Sequence, residues 1–240
     1  MQLNYFQIKI LAIFAMTIDH MAWLWIDTSS FLGQCMHFFG RLTAPLMCFL
    51  LVEGFFKTRN FYTYFLRLFL FACIAQFPFV AMLKGFDFFV ESSTLLFFKG
   101  NVLFNLGLAL LALGIFYKSQ FHVLIKSTML CALLFFASFM DWEIFIILFT
   151  LIFARYRANR QQQLIAYTIT AMGLLLLVDL GIVHGLPTLV LQWMPIGILL
   201  VPLILMYCNY ESGSRWGGRY FFYIYYPLHM FILATLAYLI

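Results

Sequence analysis

Residues 6–26 read FQIKILAIFAMTIDHMAWLWI, an apolar run with an aspartate and a histidine set inside it. A helix needs about 20 such residues to cross the hydrocarbon core of a bilayer. Eight further apolar runs follow, at roughly 42–56, 61–83, 102–117, 121–139, 142–154, 162–183, 188–208 and 220–240. The second and sixth are short, so each is either half-buried or extends into its flanks. Composition supports the same reading: 65% of the 240 residues are hydrophobic, 10% are charged, and the mean hydropathy is +0.99. A soluble domain is nearer half apolar and a quarter charged, so this chain lacks the side chains to cover a wet surface. Strands are excluded because an open sheet edge cannot survive in lipid and no barrel alternation is present. The expected fold is therefore all-α, a polytopic transmembrane bundle of about nine helices forming a single domain over 1–240. No cleavable signal is expected, since the first run is a full span with no A-x-A site after it.

The cations give an orientation. With the N-terminus in the cytoplasm and nine alternating helices, the inner side collects Lys9, Lys57, Arg59, Arg67, Lys118, Lys126, Arg155, Arg157, Arg160, Arg215 and Arg219. The outer side collects only Arg41, Lys84 and Lys99, as the positive-inside rule requires. The C-terminus is then periplasmic. The net charge of +5 is thus a topology signal and does not indicate a nucleic-acid partner. Five scattered cysteines lack CxxC spacing and read as small core residues. The longest connection, 84–101, is Phe-rich and reads as a re-entrant or interfacial segment. Prolines at 78, 195, 202 and 227 lie inside helical runs and free backbone carbonyls that the protein interior must satisfy.

Ionisable groups at membrane depth cost about 2.5–3.5 kcal/mol each on insertion scales, so each calls for a reason. Asp19 and His20 are adjacent and point about 100° apart, so they face different partners. Either one handles a proton while the other anchors a neighbouring helix, or the pair only pins the first helix. Arg41 is expected at the outer mouth of the second helix, within reach of Asp19. Glu53, near the inner end of that helix, reads as either a functional acid or a boundary ion pair. Asn101 opens the fourth run as an N-cap or as a polar site residue, with Asn105 one turn on. His229 lies near the middle of the last helix, two residues beyond Pro227. His37, His122 and His184 fall in or near loops and carry no special signal. Asp179 stands near the outer end of the seventh run. No Walker A, GxSxG or HExxH pattern and no paired Cys/His metal spacing is present.

Several stations in order resemble the TraX family of membrane acetyltransferases: KILAIFAMTIDH, GRLTAPLMCFLLVEGF, RLFLFACIAQFPF, GNVLFNLGLALL and YIYYPLH. They span nearly the whole chain, while 117–215 matches only as generic membrane helix. The resemblance implies a multi-pass enzyme of the bacterial cytoplasmic membrane. It would move an acetyl group from cytosolic acetyl-CoA to an acceptor amine, most plainly the N-terminus of a pilin. On that reading His20 is general base or acetyl carrier, with Asp19, Arg41 and His229 as further catalytic candidates. Arg59, Arg67 and Lys57 would hold CoA phosphates at the inner face, Asn101 is a further cofactor-binding candidate, and Arg41 or Asn101 would stabilise the oxyanion. No metal is implied. A small proton-coupled transporter would also use intramembrane Asp, His and Arg, though no inverted repeat is visible. A noncatalytic partner in a pilus or secretion assembly is the third reading.

Overall fold

A computed structural model of the chain describes residues 2–88, 99–182, 192–214 and 220–239. All described elements are helical: α1 (Tyr5–Trp25), α2 (Phe31–Gly40), α3 (Thr43–Lys57), α4 (Phe61–Lys84), α5 (Val102–Tyr117), α6 (Val123–Ala137), α7 (Glu143–Arg155) and α8 (Arg160–Asp179). A 3-10 helix, Met194–Leu200, runs into the short α9 (Val201–Leu205), and α10 (Phe221–Leu239) closes the bundle. Tyr5–Trp25, Phe31–Lys57, Phe61–Lys84, Arg160–Asp179 and Phe221–Leu239 are each long and apolar enough to cross a membrane, and shorter apolar helices fill the space between them. Large apolar side chains such as Phe14, Leu66, Ile169 and Leu203 point outward from the bundle. In water that would be an aggregating surface; in a multi-pass membrane protein it is the lipid face.

Capping residues define the starts. Asn4 and Gln7 form a reciprocal capping box on α1, and Ser30, Asn60 and Asn159 cap α2, α4 and α8. Each such cap satisfies an orphan N–H and is worth about 1 kcal/mol. At the α1–α2 turn Asp27 accepts the Ser29 amide and hydroxyl, which holds its carboxyl below the usual carboxylate range.

The ends of the bundle are tied by short bonds that fix which loops share a side. At one end Leu3 donates to Tyr207 O at 2.7 Å, Tyr5 to Glu211 O at 2.9 Å, and Arg160 to Leu205 O at 2.6 Å. At the same end Glu53 takes both arms of Arg157, at 2.7 and 3.0 Å, and the Tyr5 hydroxyl at 2.6 Å. Glu53 is therefore a boundary ion pair, made with Arg157 across helices rather than with its own neighbours. At the other end Gly100 and Asp141 are joined through Phe139 O and Gly100 O, and Met194 donates to Gln34 Oε1. This back-and-forth matches the alternation of the apolar runs.

Two expectations change. Of the two readings of the second run, extension into its flank holds: α2 and α3 together make a 27-residue stretch, Phe31–Lys57, long and apolar enough to cross a membrane. Arg41 consequently sits at the break between α2 and α3, in mid-segment, and not at an outer mouth. The described part of the 188–208 run, from residue 192, is a 3-10 turn followed by one short α-helical piece, with Pro195 and Pro202 in the first residues of each. Pro202 cannot donate to the Ile198 carbonyl, and the buried Tyr167 hydroxyl does so at 2.9 Å. The Phe-rich reading of 84–101 falls largely on 89–98, outside the described residues.

Candidate functional site

Asp19 and His20 face opposite partners, as their 100° separation requires. His20 points to α10, where its Nδ1 lies 2.8 Å from His229 Nε2 and the rings are nearly coplanar, 4° apart. His229 Nδ1 lies 2.9 Å from the Tyr225 carbonyl oxygen. A carbonyl only accepts, so His229 carries its proton on Nδ1, and a neutral His229 then accepts on Nε2. His20 must donate from Nδ1. That leaves His20 Nε2 with a bare lone pair. A backbone carbonyl one turn away thus sets the tautomer of both imidazoles.

Asp19 points to α2. Its Oδ1 accepts from His37 Nδ1 at 2.8 Å and from Arg41 Nη2 at 3.1 Å. His37 is fully buried and Arg41 is nearly so. Gly40 permits this approach, because a Cβ there would overlap the Asp19 carboxylate. Arg41 also lies over the Trp142 ring at 5.2 Å. Trp142 and Glu143 have positive φ, 62° and 39°, a left-handed turn that side chains disfavour. The buried Asn105 amide clamps that turn by donating to Asp141 O and Glu143 O, both at 2.7 Å. A lone-pair nitrogen on His37 and the Nε of Arg41 remain without partners inside this cluster.

Near the end that holds Tyr5 and Glu53, a cleft of about 360 Å³ opens between α1, α3, α4 and α10. Lys9, Lys57 and Arg67 line it, with Ser212, Ser214, Tyr64 and Tyr223. Among the described residues its one carboxylate, Glu53, is already neutralised by Arg157, so their charge in the cleft is a positive surplus. Arg67 is held among Tyr64, Tyr220 and Tyr223 at 5.4–5.9 Å, and its Nε is buried without a partner. From Lys9 the α1 face climbs through Ile13 and Thr17 to His20, eleven residues or about 16 Å of helical rise.

The expected site residues therefore divide. Asp19, His20, Arg41 and His229 come together around α1, and Lys57 and Arg67 share the cleft. Arg59 does not join them; it lines a separate groove with Asn60, Phe61 and Lys118. Asn101 caps α5 through Leu103 N and donates to Ala72 O and Gln76 Oε1, so its geometry is that of a helix start. His122 likewise caps α6. His184 lies outside the described residues. Two residues escaped the sequence reading. His37 was passed over as a loop residue, although Gln34, His37 and Arg41 have the i, i+3, i+7 spacing of one helical face. Lys9 was counted only as a topology charge.

A family model described as "TraX protein" matches residues 5–237. A relative from Dichelobacter nodosus, "Probable fimbrial assembly protein FimC, serogroup H1", is 49% identical over 232 residues, covering 96% of this chain and 94% of its own length. No solved structure matches.

Proposed function

Because the chain belongs to the TraX family, we propose that it is an integral membrane acetyltransferase. It takes an acetyl group from acetyl-CoA to an acceptor amine, the N-terminus of a pilus subunit, in the bacterial cytoplasmic membrane. The observations that carry this reading are the cationic cleft, which reaches Lys9 on α1, and, eleven residues further along the same helix, a histidine with a bare Nε2. CoA is a polyanion that cannot enter lipid, so it needs cations at the boundary and an apolar, narrow way in for its arm. Lys9, Lys57 and Arg67 offer the first. The 11-to-3 division of cations in the sequence supports a cytoplasmic side for that boundary.

In the reaction the amine nitrogen attacks the thioester carbonyl carbon. The N–C bond forms, the C–S bond breaks, and CoA leaves as thiolate. The surplus N–H proton passes to His20 Nε2 and from there to the thiolate. His229, fixed by the Tyr225 carbonyl, keeps His20 in the tautomer that can accept it. Such general-base help is worth about 10²–10⁴-fold. Asp19 holds α2 through His37 and Arg41, so its contribution is to position the helix that carries His20.

Calorimetry on protein in lipid nanodiscs tests the reading without an assigned acceptor. Acetyl-CoA should bind saturably, and Arg67→Gln with Lys57→Gln should weaken it at least tenfold. Absence of any heat at millimolar acetyl-CoA would sink the transferase reading. The words "assembly protein" in the relative's name favour a second reading, a noncatalytic partner in pilus assembly. In that case His20→Ala would leave pilus formation intact and no acetyl mass would be missing from the subunit.

A further inference from the structure

At a position between Lys9 and His20, α1 makes a polar side-chain contact to α10. Thr17 Oγ1 and Tyr225 Oη are 2.7 Å apart, linking α1 to α10. Thr17 also donates to Ile13 O at 2.9 Å, as membrane threonines do, so its only proton is committed. Tyr225 is therefore the donor and Thr17 its acceptor. Thr17 lies three residues before His20, about 4.5 Å of helical rise toward the cleft. The Tyr225 ring stacks on His229, with centroids 5.0 Å apart and planes 12° apart. Tyr225 is thus held twice: its backbone carbonyl receives His229, and its hydroxyl rests on Thr17, about one helical turn from His20.

Resting on the transferase reading above, we propose that the Tyr225 hydroxyl is the oxyanion donor for the thioester. At rest it donates to Thr17. When a thioester comes up from the cleft, its carbonyl oxygen replaces Thr17 as acceptor, and the negative charge that develops as the amine attacks falls on that O–H···O bond. No covalent bond to Tyr225 is made and its proton stays on the phenol. A neutral donor suits this depth, because it adds no charge to the hydrocarbon core. Arg41 Nη2, the cationic alternative, is engaged by Asp19 on the opposite face of α1.

Removing one oxyanion donor typically lowers kcat by about 10²–10³-fold. The test is initial-rate CoA release from acetyl-CoA by purified protein, with a peptide carrying the pilus subunit's free N-terminus as acceptor. Tyr225→Phe keeps the ring stack and the carbonyl, so it should fold, and should lower kcat about 10²-fold. Its KM for acetyl-CoA should stay within about threefold, because the cleft is untouched. Thr17→Val removes the resting acceptor, together with Thr17's own bond to Ile13 O, and should keep at least half of the wild-type kcat. If Tyr225→Phe retains more than a third of kcat while His20→Ala is inactive, the oxyanion assignment is wrong and the transferase reading stands. If Thr17→Val loses as much as Tyr225→Phe, the contact is a helix strut and the assignment is again overturned. Wild-type protein that releases no CoA, or His20→Ala at wild-type rate, brings down the transferase reading and the Tyr225 role with it.

Discussion

His229 and His20 are unequal partners although their side chains are the same. The Tyr225 carbonyl fixes His229, His229 fixes His20, and only His20 is left with a free nitrogen. This order predicts a graded outcome for acceptor acetylation read by intact mass. His20→Ala should be lost entirely, and His229→Ala should keep a small residual rate because a base remains with its tautomer unset. His229→Gln, whose amide oxygen can still accept from His20 Nδ1, should recover part of the loss. Equal, complete loss in both His229 variants would shift the base to α10. The cations divide in the same way. Arg67 faces the cleft and Arg59 a different groove, so Arg67→Gln should raise the KM for acetyl-CoA and Arg59→Gln should leave it unchanged. Sequence grouped these two because they flank one turn. Arg67 lies on α4 and Arg59 in the turn before it; which way each faces depends on how that turn and α4 pack against their neighbours, and nothing local encodes it.

The α2 helix is where local reading gave out. FLGQCMHFFG breaks the apolar run with Gln34 and His37, and polar residues between two spans ordinarily mean a loop. Here both are buried because each has a partner on another element, Gln34 with Thr28 O and Met194 N, His37 with Asp19. Pair satisfaction at long range is invisible to periodicity. The Asp19–Arg41 pairing, by contrast, was legible, since an unpaired acid at that depth demands a nearby cation. Gly40 tests the element: Gly40→Ala drives a methyl into Asp19 and should cost about 1–3 kcal/mol, the usual range for overpacking. Thermal unfolding in detergent would show it, and a midpoint equal to wild type would mean that α1 and α2 are not held together at this point. The 3-10 segment makes a similar demand on α8. Tyr167→Phe takes one of two donors from the Ile198 carbonyl, leaving only the Val201 N–H, and should lower stability by roughly 1 kcal/mol.

For the whole molecule, the end-to-end bonds settle which loops lie together, and the cation count predicts the side. Residues 3–5, 53–58, 157–160 and 205–211 meet at one end. Lys9, Lys57, Arg155, Arg157 and Arg160 stand at or near that end, whereas Lys84 and Lys99 are at the other. Arg41, counted in the sequence as an outer charge, is instead buried beside Asp19, which leaves the outer side with still fewer cations and sharpens the asymmetry. Short positively charged loops resist translocation, so the end with the cleft should be cytoplasmic. The C-terminus of α10 lies at the opposite end and should be periplasmic. Alkaline phosphatase fused after residue 240 should then be active, and a fluorescent protein that matures only in the cytoplasm should stay dark at the same position. The reversed pattern would place the cationic cleft outside, out of reach of any cytosolic CoA thioester, and would remove the physical basis for acetyl transfer at His20 while leaving the bundle itself unchanged.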